Sequence, residues 1–312
     1  MKAWQYTTDH APIVVNEVPE PAAAPGEVVL DVRAAGICHS DVGHLDGSLS
    51  SLLPFSPITL GHEIAGIVSE IGDGVTDFAA GDRVAVVCRV DGPGTGRDGG
   101  FQPRVAVQTD LLVPVPDGVP WDQAAVSTDA GATSYHAVVV RGQVRPGQHV
   151  GIIGFGGVGS LGAQAALSVG ANVYVAEIND DVHALAREAG VTDIATDITA
   201  FADGNLDLIV DFAGFGTTTA AAIEAVTPNG RIVQVGLGRT EGTVNLFSLV
   251  TKEVELLGSL GGTVEDNANV LELMAAGRMK SFTTQIGFDQ IGDAIEQVRR
   301  GEARGRLVAI YD

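Results

Sequence analysis

The chain is poor in basic residues and in cysteine. Lysine and arginine total 18 against 39 aspartates and glutamates, which gives a formal net charge of −21 at pH 7. A surface of this sign repels phosphate backbones and anionic lipids, so we expect neither nucleic acid nor a membrane as a partner. The two cysteines, Cys38 and Cys88, cannot build a disulfide framework. Hydrophobic residues at 45% and 41 glycines instead favour a close-packed α/β protein over a disordered chain.

Charge is also missing from one long stretch, since no charged residue lies between Arg145 and Glu177. Seven glycines from Gly151 to Gly170 interrupt it, and its pattern changes midway from strand-like to helix-like. These features favour a buried strand, turn, helix and strand over a membrane span. The first ten residues, MKAWQYTTDH, lack the basic and apolar blocks of a secretory signal, so we expect a cytoplasmic protein.

Two patterns divide the 312 residues, a length that favours two domains. Up to about residue 120, short alternating apolar runs broken by Gly and Pro predict antiparallel strands. A helical pattern begins near residue 123, and strands and helices alternate after residue 147. We therefore predict the α/β class, with a Rossmann doubly wound parallel sheet joined to a mostly-β domain.

A glycine fingerprint lies in HVGIIGFGGVGS, where an apolar strand meets a helix. Gly154 allows a tight turn, Gly156 lets the backbone approach a pyrophosphate, and Gly159 lets the helix pack closely on the strand. The N–H groups and the dipole at the helix start, around Gly157 and Val158, attract phosphates. The segment predicts a dinucleotide site.

Glu177 stands 23 residues after Gly154, where the next strand ends. An acidic side chain at this place binds the ribose hydroxyls and repels a 2′-phosphate. Residues 178–181 add two more aspartates and no Arg or Lys that could receive a phosphate. We predict NAD(H) rather than NADP(H).

Metal-ligating residue types occur in the first part of the chain. A catalytic zinc site needs three N, S or O ligands and one open position. Cys38 in GICHSD and His62 in GHE are ligands of suitable type. A single Cys or His is more often structural, but the two together, upstream of a dinucleotide fingerprint, indicate a metal site.

These motifs resemble the zinc-dependent alcohol dehydrogenases of the medium-chain dehydrogenase/reductase family along nearly the whole chain. The resemblance also rests on DAGATSYH from Asp129, GDRV at 81–84, VDFAG at 210–214, VQVGLG at 233–238 and GRLV at 305–308. It implies a GroES-like mostly-β catalytic domain from residues 1–130 and 261–312 and a Rossmann NAD-binding domain at 131–260. It further implies NAD(H)-linked interconversion of an alcohol and an aldehyde or ketone by hydride transfer, in a homodimer or homotetramer.

The resemblance assigns one catalytic Zn²⁺ to Cys38, His62 and Asp129. Asp129 stands where many family members have a cysteine. Glu63 resembles a residue behind the metal that can exchange in as a fourth ligand. Asp41 matches the acceptor that orients the ring of the ligating histidine.

Proton transfer follows the family pattern only in part. Ser40 matches the hydroxyl that relays the substrate proton toward the cofactor ribose. The relay histidine of the family falls where this chain has Gly43. The relay therefore ends either at His44, one position later, or in water.

Three further residues match cofactor contacts of the family. His39 matches a basic position near the pyrophosphate. Thr133 matches a residue against the nicotinamide, and Val235 one whose backbone holds the carboxamide. Cys88 matches a wall of the substrate pocket.

The second, structural zinc of many family members is not expected here. Its four closely spaced cysteines are replaced by VCRVDGPGTGRDGGF, which holds one cysteine. The sequence leaves open whether the substrate is an alcohol, an aldehyde, a ketone or a polyol. Two other functions also stay open: a zinc-free quinone or enoyl reductase of the same superfamily, and a non-catalytic protein that senses NAD.

Overall fold

The computed structural model describes residues 1–311. They fall into two compact units. Unit 1 comprises Met1–Ala132 and the chain from Thr263 onward, and unit 2 comprises Thr133–Gly262. The domain boundaries expected from the sequence, after residues 130 and 260, lie two residues before these breaks.

The strands follow one another along both units. They are β1 (Lys2–Tyr6), β2 (Val14–Glu17), β3 (Glu27–Gly36), β4 (Ile58–Thr59), β5 (Glu63–Ile71), β6 (Arg83–Val86), β7 (Arg104–Gln108), β8 (Leu112–Pro114), β9 (His149–Ile153), β10 (Asn172–Ala176), β11 (Asp193–Ala195), β12 (Leu206–Asp211), β13 (Val226–Gln234), β14 (Glu255–Gly258), β15 (Thr283–Gly287) and β16 (Arg306–Ile310).

The helices are mostly short. They are α1 (His39–Leu45), α2 (Trp121–Val126), α3 (Ala132–Tyr135), α4 (Gly159–Val169), α5 (His183–Glu188), α6 (Thr217–Ala225), α7 (Leu246–Thr251), α8 (Val264–Ala275) and α9 (Ile291–Arg299). Two π-helical segments, Ser127–Gly131 and His136–Arg141, adjoin α3. Short 3₁₀ helices occur at Ser50–Leu52, Thr109–Leu111, Asp180–Val182, Ile198–Gly204 and Phe288–Gln290.

Unit 1 is built on β-sheet. Its larger sheet has the order β15-β16-β3-β5-β6-β8, with β7 also paired to β3, and a smaller sheet has the order β2-β1-β4. Neighbouring strands are antiparallel except β15 and β16. The core beneath β3 and β5 contains Val28, Leu30, Ile64 and Phe101, all fully buried. This is the mostly-β domain that the sequence predicts.

Unit 2 contains a six-stranded parallel sheet of order β11-β10-β9-β12-β13-β14. The chain order reverses between β9 and β12, and ligands of such sheets bind beyond the carboxyl ends of the strands at this reversal. Helix α4 follows β9 directly and ends at Gly170, whose φ of 92° gives the left-handed turn that terminates many helices. The predicted doubly wound Rossmann sheet is confirmed.

The uncharged stretch after Arg145 forms β9, α4 and β10, as its pattern predicts. Within residues 1–311, no helix combines the length and the apolar composition that crossing a bilayer requires. Strand β1, helix α1 and edge strand β14 were not predicted. Each is short, and β14 has no buried residue that could create a clear pattern.

Gly159→Ala is expected to lower the free energy of unfolding. The added Cβ would lie 1.9 Å from the carbonyl oxygen of Gly154, and overpacking of this kind costs about 1–3 kcal/mol. Gly156→Ala is the matched control, because nothing lies within 4 Å of a Cβ added there. Urea unfolding followed by circular dichroism measures both. Equal stability of Gly159→Ala and wild type would contradict the close helix–strand contact.

Candidate metal centre and dinucleotide-binding segments

Three metal-ligating side chains meet in unit 1. Cys38 precedes α1, His62 lies between β4 and β5, and Asp129 lies in the π-helical segment Ser127–Gly131. One donor atom of each, the Cys38 sulfur, a His62 ring nitrogen and an Asp129 oxygen, lie within 4.8 Å of one another. We call these residues the donor triad. Among residues 1–311, no other trio of His, Cys, Asp or Glu side chains converges in this way.

Local structure fixes each ligand. Cys38 is the N-cap of α1, and its backbone N–H donates to Asp41 Oδ2 at 2.8 Å. His62 follows Gly61, whose φ of 90° and close contact with the Phe101 ring admit no side chain. The sequence around each ligand therefore positions it before any metal is bound.

The spacing of the donors fits zinc. Cys38 Sγ lies 3.4 Å from Asp129 Oδ2, and His62 Nε2 lies 3.7 Å from the same oxygen. Zinc–ligand bonds of about 2.0–2.3 Å at tetrahedral angles place neighbouring donors roughly 3.3–3.8 Å apart. Nitrogen, sulfur and carboxylate oxygen are also the donor types that zinc takes.

Asp41 and Ser40 flank the His62 ring on opposite nitrogens. Asp41 Oδ1 lies 3.5 Å from Nδ1, which is beyond normal hydrogen-bond length, and within residues 1–311 neither of these buried atoms has a hydrogen-bond partner. Ser40 Oγ lies 3.3 Å from Nε2. The predicted neighbours are thus adjacent, and Asp41 has the additional task of capping α1 at Cys38.

The electrostatic surroundings favour a cation at the donor triad. Burial lowers the pKa of His62, but the carboxylates of Asp41 and Asp129 outweigh this effect, so this pKa lies well above its ordinary value. Burial raises the pKa of Asp129, whereas His62 and Arg306 lower it by more, so this carboxyl stays ionised. The same carboxylates favour a divalent metal ion, which His62 would bind in its neutral form.

Glu63 forms a buried ion pair with Arg306 behind the donor triad. Arg306 Nη2 lies 3.0 Å from Glu63 Oε1, and the two side chains are 8% and 0% exposed. Burial raises the pKa of Glu63, and the adjacent positive charge of Arg306 opposes this shift. The guanidinium also donates to the Ile37 carbonyl and interacts with Cys38. Glu63 is held beside the site by this pair.

Arg306 was not predicted as a site residue. It opens β16, whose remaining residues are the apolar run LVAI. An arginine at the start of a buried apolar strand is the signal that could have found it, because buried charges require a partner. That partner, Glu63, lies on β5 and is brought close only by the sheet.

Other predicted residues of unit 1 differ in exposure. His39 is exposed on α1, whereas His44 is buried, and its Nδ1 faces the Leu49 carbonyl at 3.2 Å. Burial lowers the pKa of His44. Burial also raises the pKa of Cys88 to about 12, so its thiol stays protonated.

The glycine fingerprint lies between β9 and α4 in unit 2. Gly154 has a φ of 86°, and the space around Gly156 is open where a Cβ would point. No side chain caps the start of α4 after Gly157 and Val158. This segment therefore leaves room, and a helix start without a side-chain cap, for a pyrophosphate.

Glu177 follows β10, next to the fingerprint. Its carboxylate accepts the N–H of Phe155 at 2.7 Å and the N–H of Asn179 at 2.8 Å. Each carboxylate oxygen can accept a second hydrogen bond, so ribose hydroxyls can still bind. The side chain is thereby held against the glycine turn.

Thr133 and Val235, the two predicted nicotinamide contacts, belong to unit 2. Thr133 is buried in α3. The N–H of Val235 donates to the Asp211 carbonyl at 3.0 Å, so a carboxamide amide group would have to bind to the Val235 carbonyl. Their roles stay predictions.

Comparison with known proteins agrees with this architecture. Residues 24–117 match the family described as "Alcohol dehydrogenase GroES-like domain", and residues 157–276 match "Zinc-binding dehydrogenase". The chain is 30% identical over 341 aligned positions to an alcohol dehydrogenase of Geobacillus stearothermophilus, and the alignment covers 100% of both.

Two solved structures are similar over nearly the whole chain. Acetophenone reductase from Geotrichum candidum, solved with NAD, is 30% identical, with 99% of this chain and 97% of that chain covered and a TM-score of 0.90. A thermostable alcohol dehydrogenase from Pyrobaculum aerophilum, with cobalt and zinc bound, is 25% identical, with coverages of 100% and 99% and a TM-score of 0.88. The chain belongs to the alcohol dehydrogenases of the medium-chain dehydrogenase/reductase family, and it is an oxidoreductase.

Arg306→Leu is expected to destabilise the fold by about 3–5 kcal/mol, because it leaves the Glu63 carboxyl buried without its partner. Combining it with Glu63→Gln should recover part of this loss, since the amide carries no charge. Urea unfolding at pH 7 measures both variants. A double variant no more stable than Arg306→Leu would show that the loss comes from packing rather than from the ion pair.

Proposed function

We propose that the protein is a zinc-dependent, NAD(H)-linked oxidoreductase that interconverts an alcohol and an aldehyde or ketone. The observation that carries this proposal is the convergence of Cys38, His62 and Asp129 at zinc-like spacing. Zinc and NAD are the cofactors that the family and the structures solved with NAD or zinc support. The donor triad argues against the zinc-free reductases, which lack such ligands.

Each side chain near the donor triad has a task in this reaction. When bound, zinc supplies Lewis-acid polarisation of the substrate oxygen, and NAD(H) accepts or donates the hydride. Cys38, His62 and Asp129 hold the metal, and Asp41 orients His62 from the Nδ1 side. Glu63, which follows His62 in the chain and is paired with Arg306, is the exchangeable ligand in this proposal.

Ser40 and His44 provide a route for the substrate proton. Ser40 Oγ, which lies 3.3 Å from His62 Nε2, accepts the proton of the alcohol hydroxyl while it passes its own hydroxyl proton onward. Because burial lowers the pKa of His44, its ring is neutral at pH 7. Its Nδ1 donates to the Leu49 carbonyl, which leaves Nε2 as an acceptor. The proton leaves through His44 or through water.

The segments of unit 2 bind the dinucleotide. The turn at Gly154, Gly156 and Gly159 receives the pyrophosphate, and the carboxylate of Glu177 binds the adenosine ribose. Its negative charge, with that of Asp180 and Asp181, excludes a 2′-phosphate and selects NAD(H). His39, Thr133 and the Val235 carbonyl are further cofactor contacts in this proposal.

We also propose a cytoplasmic homo-oligomer, a dimer or tetramer. Leu246, Phe247 and Val250 of α7 are 66%, 76% and 70% exposed, and Leu256 on edge strand β14 is 40% exposed. Exposed apolar side chains beside an unpaired sheet edge favour pairing with a second copy.

Purified protein is expected to contain one zinc per chain. Cys38→Ala, His62→Ala and Asp129→Ala should each lose the metal and at least 100-fold of the NAD-linked alcohol oxidation, because each removes one of three ligands (roughly the scale of catalytic metal loss). Elemental analysis after desalting and initial rates with a panel of alcohols measure the two effects. Cys88→Ala is the matched control and should keep the zinc, since the Cys88 thiol stays protonated.

Two other results would change the proposal. Two zinc ions per chain would show that a second site exists despite the chain having only two cysteines. No zinc, with NADH still bound and no activity gained on adding zinc, would favour a zinc-free reductase. Tight NADH binding without turnover of any alcohol or carbonyl would favour an NAD-sensing protein.

Gly156→Ala should weaken NADH binding by about tenfold or more, because its methyl group fills the space that the pyrophosphate needs. Its stability should equal that of wild type, since nothing lies within 4 Å of the added Cβ. Gly204→Ala, which is equally unobstructed, is the control. NADH fluorescence titration measures both. Unchanged affinity in Gly156→Ala would place the pyrophosphate elsewhere.

A further inference from the structure

Asp129 lies in an unusual piece of backbone. The helical run from Trp121 onward changes at Ser127–Gly131 from α-helical to π-helical geometry. The hydrogen bonds of such segments span five residues instead of the four of an α-helix, so a short π-helical segment contains an extra residue. Such segments are rare and occur frequently at functional sites. Since each α-helical residue turns the chain by about 100°, the extra residue changes the direction in which the following side chains point. The orientation of Asp129 toward Cys38 and His62 therefore depends on this segment staying π-helical.

Helix α8 holds the π-helical segment from one side. Asn267 Nδ2 donates to Ser127 Oγ at 2.8 Å, and Ser127 Oγ donates in turn to the Ala124 carbonyl at 2.7 Å. One turn further along α8, Val270 packs on Gly131, where an added Cβ would lie 2.8 Å from Val270 Cγ1. Both ends of the segment thus contact α8.

Asn267 lowers the stability of the fold at this position. Its side chain is fully buried, and its Oδ1 has no hydrogen-bond partner in the part of the chain that the structure describes. An unsatisfied buried acceptor costs roughly 1–3 kcal/mol. An apolar residue would avoid that cost, so stability alone does not explain an asparagine here. The bond to Ser127 is what the amide contributes.

The other side of the segment is tied to unit 1 as well. The N–H of Cys88 donates to the Thr128 carbonyl at 3.2 Å, and Thr128 Oγ1 donates to the Ala125 carbonyl at 2.7 Å. Asp129 is the next residue. Its backbone is therefore fixed between α8 and the segment after β6.

We propose that Asn267 is a positioning residue for the metal centre: through Ser127 it holds the π-helical segment in the register that directs Asp129 into the donor triad. This inference rests on the proposed zinc site. It assigns to α8, which contributes no ligand, control over the geometry of the third ligand.

The test compares Asn267→Leu and Ser127→Ala with wild type. Leucine keeps the branched shape and the number of side-chain heavy atoms, and it removes the bond to Ser127. The zinc dissociation constant, measured by competition with a chromophoric chelator, should rise about tenfold or more, as for other residues that orient a ligand. Replacement of zinc by Co²⁺ should give a visible spectrum with altered band positions, which loss of stability alone would not produce. NADH affinity should stay within twofold of wild type.

Ser281→Ala is the matched control, because Ser281 is also buried in unit 1 and its hydroxyl has no partner there. It should leave both zinc affinity and the Co²⁺ spectrum unchanged. Wild-type zinc affinity and spectrum in both Asn267→Leu and Ser127→Ala would overturn the inference while leaving the zinc site intact. If Asn267→Leu does not fold, Ser127→Ala alone decides. Absence of zinc binding in wild type would overturn the proposed function and this inference together.

Discussion

The burial of charge in the β-rich unit is the constraint on which the site depends. Glu63, Asp41 and Arg306 lie in surroundings from which water is excluded, and His62 lies among them. Each of these groups would be costly alone, since a buried charge needs a partner of opposite sign. The ion pair of Glu63 and Arg306 satisfies part of this need, and the carboxylates of Asp41 and Asp129 beside His62 favour a positive charge there, in the direction of the raised pKa of His62. A divalent metal ion bound at the donor triad would also supply positive charge to these buried carboxylates.

The backbone has a different role in the candidate site of each unit. In unit 1 the candidate metal ligands lie at a helix cap, in a loop and in a π-helical segment, and this local backbone structure orients their side chains. In unit 2 two glycines have different surroundings. The space around Gly156 is open, which leaves room for a dinucleotide, whereas Gly159 packs tightly against the Gly154 carbonyl. Glu177 links the end of β10 to the glycine turn, because its carboxylate accepts the N–H of Phe155 within that turn.

Sequence patterns predicted the parts of the fold that depend on near neighbours. The Rossmann sheet, the fingerprint after β9 and the acidic residue after β10 all follow from spacing along a short segment. Cys38 and His62 were also recognisable as ligand types, since each lies in a short motif, whereas Asp129 was assigned only by the resemblance to the family. Short elements with weak patterns were missed, such as β1 and β14, because their pairing partners rather than their own residues stabilise them.

The amino-acid sequence by itself determined the class of fold, the dinucleotide segment and the kinds of side chain available to a metal. Only the tertiary structure decided which distant residues support them. Arg306 reaches Glu63 because β16 and β5 both border β3, and Asn267 reaches Ser127 because α8 packs on the π-helical segment. Contacts between residues far apart in the chain depend on strand order and helix packing, which no local spacing encodes. The same reason explains why the ligands were visible in the sequence and their supports were not.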